Sequence, residues 1–557
     1  MTNERGNMAS KPWREVNAIY QIYPRSFKDS NGDGVGDLRG VIDKLDYIAG
    51  YKNSLGIDAI WFSPIFTSPM ADMGYDVSNY CDIDPLFGTL DDFKELIEKA
   101  HERNINVMLD FVPNHTSDQH PWFVASRSGD ADKKEYYVWH DAKPDGSEPN
   151  NWRSIFGGSA WEWDDERKQY YLHTFLKEQP DLNWDNPMVR EEMKQVVRFW
   201  MDLGVDGLRA DAVRWISKDP ELRDDPENPS WQGSQTNNSF NAVIHEHSRF
   251  GEQVFPYLRE LTDVMAEYDN RIMIFEDYPD DNYSTKDQYL GFYSVDPERS
   301  MPFNFEGLWA EFSAPSFRTF INEFQGMLNQ EVHRPVYCFG NHDQWRMVSR
   351  YNGADKARLV ALLQLTLPGL PTVYYGDELG MPNTPVTHEQ IRDLSAFSAG
   401  DDSVSRDPER TPMQWDATHY AGFSDAEPWL PLGERVYEHN VQDQLHEPDS
   451  FLSLYRRLLR MRSRYDILRN GSYETFGDDD ENVFVYSRRL NDEHVFVACN
   501  FSNTMQKVAL PHKGRILCCT HPIDYPEVDA DGILTLRPYE GALIECGEHP
   551  LMTADRD

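Results

Sequence analysis

Eight short segments of the chain, rich in aromatic and β-branched residues, read as strands: AIYQIYP at 18–24, AIWFSPI at 59–65, VMLDFV at 107–112, GLRAD at 207–211, MIFED at 273–277, MPFNF at 301–305, VYCFG at 336–340 and TVYYGDE at 372–378. Between several of them lie stretches with apolar residues at helical spacing, such as LDDFKELIEKAHERN and NPMVREEMKQVVRFWMDLG. Strand and helix alternating in this way predict an α/β chain whose parallel strands close into a (β/α)₈ barrel. The polar residues at the C-terminal ends of the strands then line one face.

Two intervals are too long to be simple connections. Between the third and fourth strands the chain runs through NNWRSIFGGSAWEWDDERKQYYLHTF, rich in Trp, Tyr, Gly and Asp, which predicts a small inserted domain over that face. After the barrel comes FLSLYRRLLRMRSRY, a helix with an apolar stripe and a basic outer face. The alternating segments NVFVYSRRL, HVFVACNFS, KVALP and GILTLRPYEGALIEC then predict an antiparallel β-domain. The expected boundaries are 1–113 and 184–474 for the barrel, 114–183 for the insertion and 475–557 for a C-terminal β-sandwich.

Composition narrows the function by exclusion. The 557 residues suffice for one large domain with satellites, and a net charge of −40 opposes both phosphate backbones and anionic membranes. Only 17 of the 54 basic residues are Lys, the balance expected of a protein kept soluble in high salt. The polar opening MTNERGNMASKPW and the lack of any run of eighteen apolar residues predict a cytoplasmic, non-membrane protein. Six Cys without CxxC spacing read as reduced structural thiols.

One loop has metal-site spacing. In FKDSNGDGVGDLRG, Asp29, Asn31, Asp33, Val35 (through its carbonyl) and Asp37 follow the EF-hand order of oxygen ligands, with Gly34 at the sharp turn. Position twelve is Gly40 instead of Glu, and a strand precedes the loop. It therefore reads as a structural divalent-ion site, the alternative being an unmetallated Asx/Gly turn.

The strand ends carry Asp110 with Asn114 and His115, Arg209 with Asp211, Glu276, and His342 with Asp343, all directed to one rim. The segments DFVPNH, GLRADAVRW, the Glu after the fifth strand and FGNHD resemble the four signature regions of the alpha-amylase family of glycoside hydrolases (family 13). QPDLNW, GDGVGDLRG, ADMGYDVSNY and RTPMQWD are similar to its oligo-1,6-glucosidase and alpha-glucosidase branch, and the resemblance spans nearly the whole chain. It implies Asp211 as nucleophile, Glu276 as general acid/base and Asp343 as the carboxylate that holds sugar hydroxyls. His115 and His342 become hydroxyl donors, Asp72 and Arg410 a clamp on the terminal glucose, and Tyr75 its stacking platform. The loop at Asp29–Asp37 becomes a site for one Ca²⁺ or Mg²⁺; no organic cofactor is implied, and no HxxxH pair supports catalytic zinc.

The physics of a retaining glycosidase is compatible with these roles: it needs two carboxyl groups ~5–5.5 Å apart, one ionised and one protonated. Arg209, two residues before Asp211 and on the same strand face, is expected to lower the Asp211 pKa, while desolvation near Phe275 and Tyr278 raises that of Glu276. Asp277, next to Glu276, is expected to face the other side. In relatives a Val after the nucleophile accompanies cleavage of alpha-1,6 bonds; Ala212 here implies an alpha-1,4 preference. The implied activity is an exo-acting retaining alpha-glucosidase on short gluco-oligosaccharides, with possible transglucosylation, as monomer or homodimer. The alternatives are an oligo-1,6-glucosidase and a glucosyl isomerase of the trehalose synthase or sucrose isomerase type. A non-catalytic transporter subunit with the same barrel would have lost the catalytic carboxylates.

Overall fold

A computed structural model describes residues 10–546 apart from 234–238, 280–284, 434, 478, 511–513, 522–527 and 530. Eight parallel strands form its centre: β1 (Ile19–Ile22), β2 (Ala59–Phe62), β3 (Asn106–Phe111), β4 (Gly207–Ala210), β5 (Ile272–Phe275), β6 (Ser300–Asn304), β7 (Val336–Tyr337) and β8 (Thr372–Tyr374). Neighbours in the sheet run β7-β6-β5-β4-β3-β2-β1-β8, and a parallel bridge from Cys338 to Thr372 joins the two ends. The sheet is thus a closed (β/α)₈ barrel. Six of its strands are shorter than the sequence segments, whose C-terminal residues leave the ladder toward the rim, while β3 and β6 keep the segment length shifted by one residue.

Register places the rim chemistry. Asp110 of β3 lies opposite Arg209 of β4, and Ala210 lies opposite Phe275 of β5. Asp211 N–H still donates to Phe111 and Glu276 N–H to Ala210, each at 2.9 Å, so both carboxyl-bearing residues leave their strands at one level. Side chains two residues apart on a strand share a face, which brings Arg209 beneath Asp211.

The outer helices are set by their caps. The Asp37 side chain accepts from Gly40 N–H to start α1 (Leu38–Ile48), and Thr89 with Asp92 forms a capping box on α2 (Leu90–His101). Asn186 caps α3 (Pro187–Asp202), which has Pro at its first position. Trp200 of α3 stacks on Phe66 at 4.8 Å and meets Phe93 of α2 edge-on at 5.3 Å, closing the helix layer over the sheet.

Between β3 and β4 a three-stranded antiparallel sheet pairs Trp139–His140, Gln169–Leu172 and Trp161–Asp164 around its own small core, with Trp152 stacked on Trp161 at 6.3 Å. Trp152 Nε1 donates to the Arg223 carbonyl in the loop after β4, tying the insertion to the barrel rim. After β8 the chain forms α4 (Phe451–Arg464), capped by Ser450, and α5 (Asp466–Asn470). A five-stranded antiparallel sheet follows, beginning at Ser472, with a two-stranded ladder of Gln506–Ala509 and Ile533–Leu536 beside it. Arg462 of α4, fully buried, donates to the carbonyls of Asn17, Leu365, Leu367, Leu468 and Gly369. Arg488 of the sheet donates to Ser472, Thr366, Leu468 and Gly471 carbonyls. All six Cys are free thiols, and among the described residues no helix is long and apolar enough to cross a membrane.

Candidate active site

Arg209 organises one half of the rim. Its guanidinium, only 1% exposed, places Nη1 2.7 Å from Asp110 Oδ1 and 2.5 Å from Asp211 Oδ1, and Nη2 2.5 Å from Glu276 Oε1. One cation therefore serves three buried carboxyl groups. Burial and then the charge of Glu276 raise the Asp211 carboxyl well above the usual carboxylate range, against the pull of Arg209. Asp110 is pushed up to about 6, again by burial. The sequence reading expected Arg209 to hold the Asp211 pKa down. Divided three ways, it cannot neutralise the whole cluster, and burial with the charge of Glu276 outweighs it at Asp211.

Ala212 extends this half. It sits in left-handed backbone at φ 50°, and its N–H donates to Glu276 Oε2 at 2.9 Å. A non-Gly residue in that region is strained, and here the strain aims a donor at a carboxylate. Asp277 turns away as expected: it pairs with Arg214 at 2.6 Å, is 1% exposed and lies off the pocket lining.

The other half centres on Asp343. Burial alone would raise its carboxyl, but the fixed charges of Arg406 and Arg410 hold it well below the ordinary range. Arg410 Nη2 lies at 2.7 Å, Arg406 Nη1 at 3.3 Å and His342 Nε2 at 3.3 Å. His342 is held neutral, its pKa lowered to about 3 by burial, with Gln21 Nε2 against Nδ1 at 2.8 Å and the Tyr75 hydroxyl against Nε2 at 2.6 Å. Tyr75 also donates to Asp110 at 3.1 Å and stacks on the His342 ring at 5.5 Å.

At the third side His115, lowered to about 4 by burial, meets Gln179 Nε2 at 3.0 Å, and Gln179 also donates to Asp72 Oδ2 at 3.1 Å. Gln179 and Asp181 belong to QPDLNW. Asp181 accepts from Asn114 and Thr174 and pairs with Lys218 at 2.8 Å, fixing the chain beside His115. The anticipated Asp72–Arg410 pair is not formed. Arg410 turns to the His342 carbonyl (2.7 Å) and Asp343, whereas Asp72 Oδ1 accepts from Arg406 Nη2 at 2.8 Å. A short 3₁₀ turn, Asp407–Glu409, separates the two arginines of RDPER and directs the first, not the second, to Asp72.

Asp72, Tyr75, His115, Asp211, Glu276 and Asp343 line one cavity of about 1700 Å³, and Phe156 and Phe175 of the insertion overhang it. Arg209 and His342 stand behind this lining. Arg406, Asp393, Gln179 and Gln21 were not singled out from sequence. For Arg406 a signal was present, a second Arg four residues before Arg410 in the same motif.

The loop at Asp29–Asp37 lies apart from the cavity. Asp29 accepts from the N–H groups of Asn31, Gly32 and Gly34 and from Ser424 Oγ; Asn31 accepts from Asp33 N–H and Asp33 from Val35 N–H. Asp37 accepts from Ser30 and caps α1. Among the described residues no group of three or more His, Cys, Asp or Glu is arranged to hold a metal.

Residues 21–471 match the model of the alpha amylase catalytic domain. The oligo-1,6-glucosidase of Parageobacillus thermoglucosidasius is 38% identical over 95% of this chain and 98% of its own length. A probable alpha-glucosidase of Rhizobium meliloti is 40% identical over 90% and 92%. Among solved structures, an alpha-glucosyl transfer enzyme, XgtA, superposes with a TM-score of 0.89 at 37% identity, covering 96% of this chain and 100% of that one.

Proposed function

The chain belongs to the alpha-amylase family of glycoside hydrolases, and from that premise we propose that it is a retaining, exo-acting alpha-glucosidase that frees one glucose from the non-reducing end of short alpha-linked gluco-oligosaccharides. The Asp72–Arg406 ion pair carries this reading. Set among Tyr75, His115 and Asp343, it grips the hydroxyls of a terminal sugar and stands where a further glucose would have to pass, making a pocket instead of a cleft.

The chemistry follows from the two halves of the rim. Glu276 serves as the acid toward a glycosidic oxygen seated against it, and Asp211, held against Arg209, serves as the attacking carboxylate. Asp211 attacks C1 as the bond to the leaving oxygen breaks, and Glu276 passes its proton to that oxygen. Water then gives a proton to Glu276 and displaces Asp211 from C1, restoring both groups and the anomeric configuration. Asp343, kept ionised by Arg406 and Arg410, binds sugar hydroxyls and favours the oxocarbenium-like transition state.

Linkage preference rests on Ala212, whose small side chain lines the cavity beside Asp211. A methyl-sized difference is worth only ~1–3 kcal/mol, so maltose is preferred over isomaltose without excluding it. Initial rates on maltose, isomaltose, sucrose, trehalose and an aryl glucoside test the reading. Faster hydrolysis of isomaltose than of maltose overturns the linkage preference, and efficient internal cleavage of soluble starch overturns the pocket. Similarity to a glucosyl transfer enzyme favours a second reading, glucosyl transfer or isomerisation through the same covalent intermediate. Chromatography separates them: free glucose marks hydrolysis, a rearranged disaccharide marks transfer.

A further inference from the structure

The residue that fixes the closed end of the pocket is not part of its lining. Asp393 is fully buried, just before the short helix Leu394–Ala399. It takes one edge of the Arg406 guanidinium in a two-point pair, Nε to Oδ2 and Nη2 to Oδ1, both at 2.8 Å. The other edge is left facing the cavity, with Nη2 also 2.8 Å from Asp72 and Nη1 3.3 Å from Asp343. The Asp393 carboxylate is itself locked. Oδ1 accepts from Ser395 N–H at 3.1 Å and Ser395 Oγ at 2.8 Å, and Oδ2 accepts from Arg406 N–H at 2.9 Å. Its backbone is held as well, since Asp407 Oδ2 accepts from Asp393 N–H at 3.0 Å and from Arg392 N–H at 2.6 Å.

Arg406 would otherwise choose between two carboxylates. Asp343 already has Arg410, and a freed Arg406 drawn to it would occupy oxygens that a sugar needs while leaving Asp72 unpaired. We propose that Asp393 is a positioning residue that holds Arg406 between Asp72 and Asp343, so that the terminal-glucose site is preformed before any sugar arrives. Planar two-point pairing fixes the guanidinium's plane and its rotation together, which a single contact cannot do. The Phe156 ring of the insertion lies 5.4 Å from the same guanidinium and limits its movement on the outer side. A preformed site lowers the cost of binding, and because the grip on a non-reacting hydroxyl is made equally in ground and transition states, its loss falls on KM.

This inference rests on the alpha-glucosidase reading, and the experiment separates the two. Wild type is first assayed on maltose; if it releases no glucose there, the functional reading fails and Asp393 is not at issue. Given activity, Asp393→Asn, which keeps the shape but loses the charge, is expected to raise KM for maltose at least tenfold while lowering kcat no more than threefold. The inhibition constant of the product glucose is expected to rise by the same factor as KM. Arg406→Lys, unable to make the two-point pair, is expected to raise KM similarly, and the double variant is expected to be no worse than Arg406→Lys alone. If Asp393→Asn does not fold, Ser395→Ala provides the second arm, with an expected two- to threefold rise in KM. Folded Asp393→Asn with KM and glucose inhibition within twofold of wild type, or strictly multiplicative effects of Asp393→Asn and Arg406→Lys, would overturn the proposal. So would an unchanged KM in Ser395→Ala where that arm is used.

Discussion

Arg209 and Arg462 are both buried to 1% exposure or less, yet they live in opposite electrostatic worlds. Arg209 touches three carboxyl groups, Asp110, Asp211 and Glu276. Arg462 has no carboxylate partner among the described residues and makes all five of its hydrogen bonds to backbone carbonyls. Several of those carbonyls belong to the C-terminal ends of the helix Ala354–Thr366 and of α5, where unpaired C=O groups and the helix dipoles supply partial negative charge. Burial and the nearby Arg488 push the Arg462 pKa well down, while at Arg209 the carboxylates overcome burial and push it up. A charge balanced by titratable groups can take part in proton transfer. A charge balanced by fixed dipoles can only hold the chain in place.

The largest expected effect breaks the contrast from the titratable side. Asp211→Asn is expected to lower the hydrolysis rate by roughly 10⁴-fold or more, since no covalent intermediate can form, with a melting temperature no lower than wild type because a crowded carboxylate has been neutralised. More than a few per cent residual activity moves the nucleophile elsewhere. From the dipole side, Arg462→Met is expected to cost about 3–5 kcal/mol, read as a lower urea midpoint, because the Asn17, Leu365, Leu367 and Gly369 carbonyls lose this donor while Leu468 keeps Arg488. Activity per folded molecule should stay within about twofold. A large loss of kcat in protein shown to be folded would erase the distinction between the two regions.

Glu409 sharpens the comparison, being a buried carboxyl that adjoins the catalytic rim. It is 1% exposed, bonded to Asn383 Nδ2 at 3.0 Å, and burial raises its pKa to about 8 against the pull of Arg410. In the unfolded chain it ionises near ~4.3. Its contribution to stability is complete below that pH and is lost as pH rises toward 8, because the unfolded chain releases a proton that the fold retains. Glu409→Gln cannot ionise, so its melting temperature should climb relative to wild type across pH 5–8. A constant difference over that range would show that Glu409 is already ionised in the fold.

The smallest effect concerns the mirror image of Arg462. At Asp29 it is a carboxylate that is served by backbone N–H groups, and those bonds with Ser424 hold its pKa low despite burial. Chelation followed by Ca²⁺ or Mg²⁺ add-back is expected to move the melting temperature by a few degrees through mass action on the folded state, and to leave kcat unchanged. Unchanged melting after confirmed metal removal assigns the loop to an ion-free turn.

The barrel was legible because its signal is periodic and local, and all eight segments lie at the strands. Asp211, Glu276 and Asp343 lie beyond the ends of β4, β5 and β7, where alternation no longer fixes direction; GLRADAVRW, the Glu after the fifth strand and FGNHD singled them out through their resemblance to the family's signature regions, and the structure brings all three to one cavity. Arg209 was legible beside Asp211, but the guanidinium partner of Asp72 was not. RDPER lies in irregular chain after β8, where no period says which Arg faces the pocket, and Asp393 is thirteen residues from the Arg it holds. The direction of the Asp211 pKa shift was misjudged from sequence because two residues on one strand reveal a partner but not how many others share it.

Arg462 also has a consequence for how the protein is made. It donates to the carbonyl of Asn17, 445 residues earlier and two residues before β1 begins. Strands emerge from the ribosome in order, so the first part of the barrel must wait for α4, made after all eight strands, before this end of it is sealed. A nascent chain halted before α4 would carry complete β1–β8 and every catalytic carboxylate, yet keep the Asn17, Leu365, Leu367 and Gly369 carbonyls without the side chain that serves them. α4 is therefore the closing step of barrel assembly, and a helix made after all eight strands decides when the earliest strand becomes permanent.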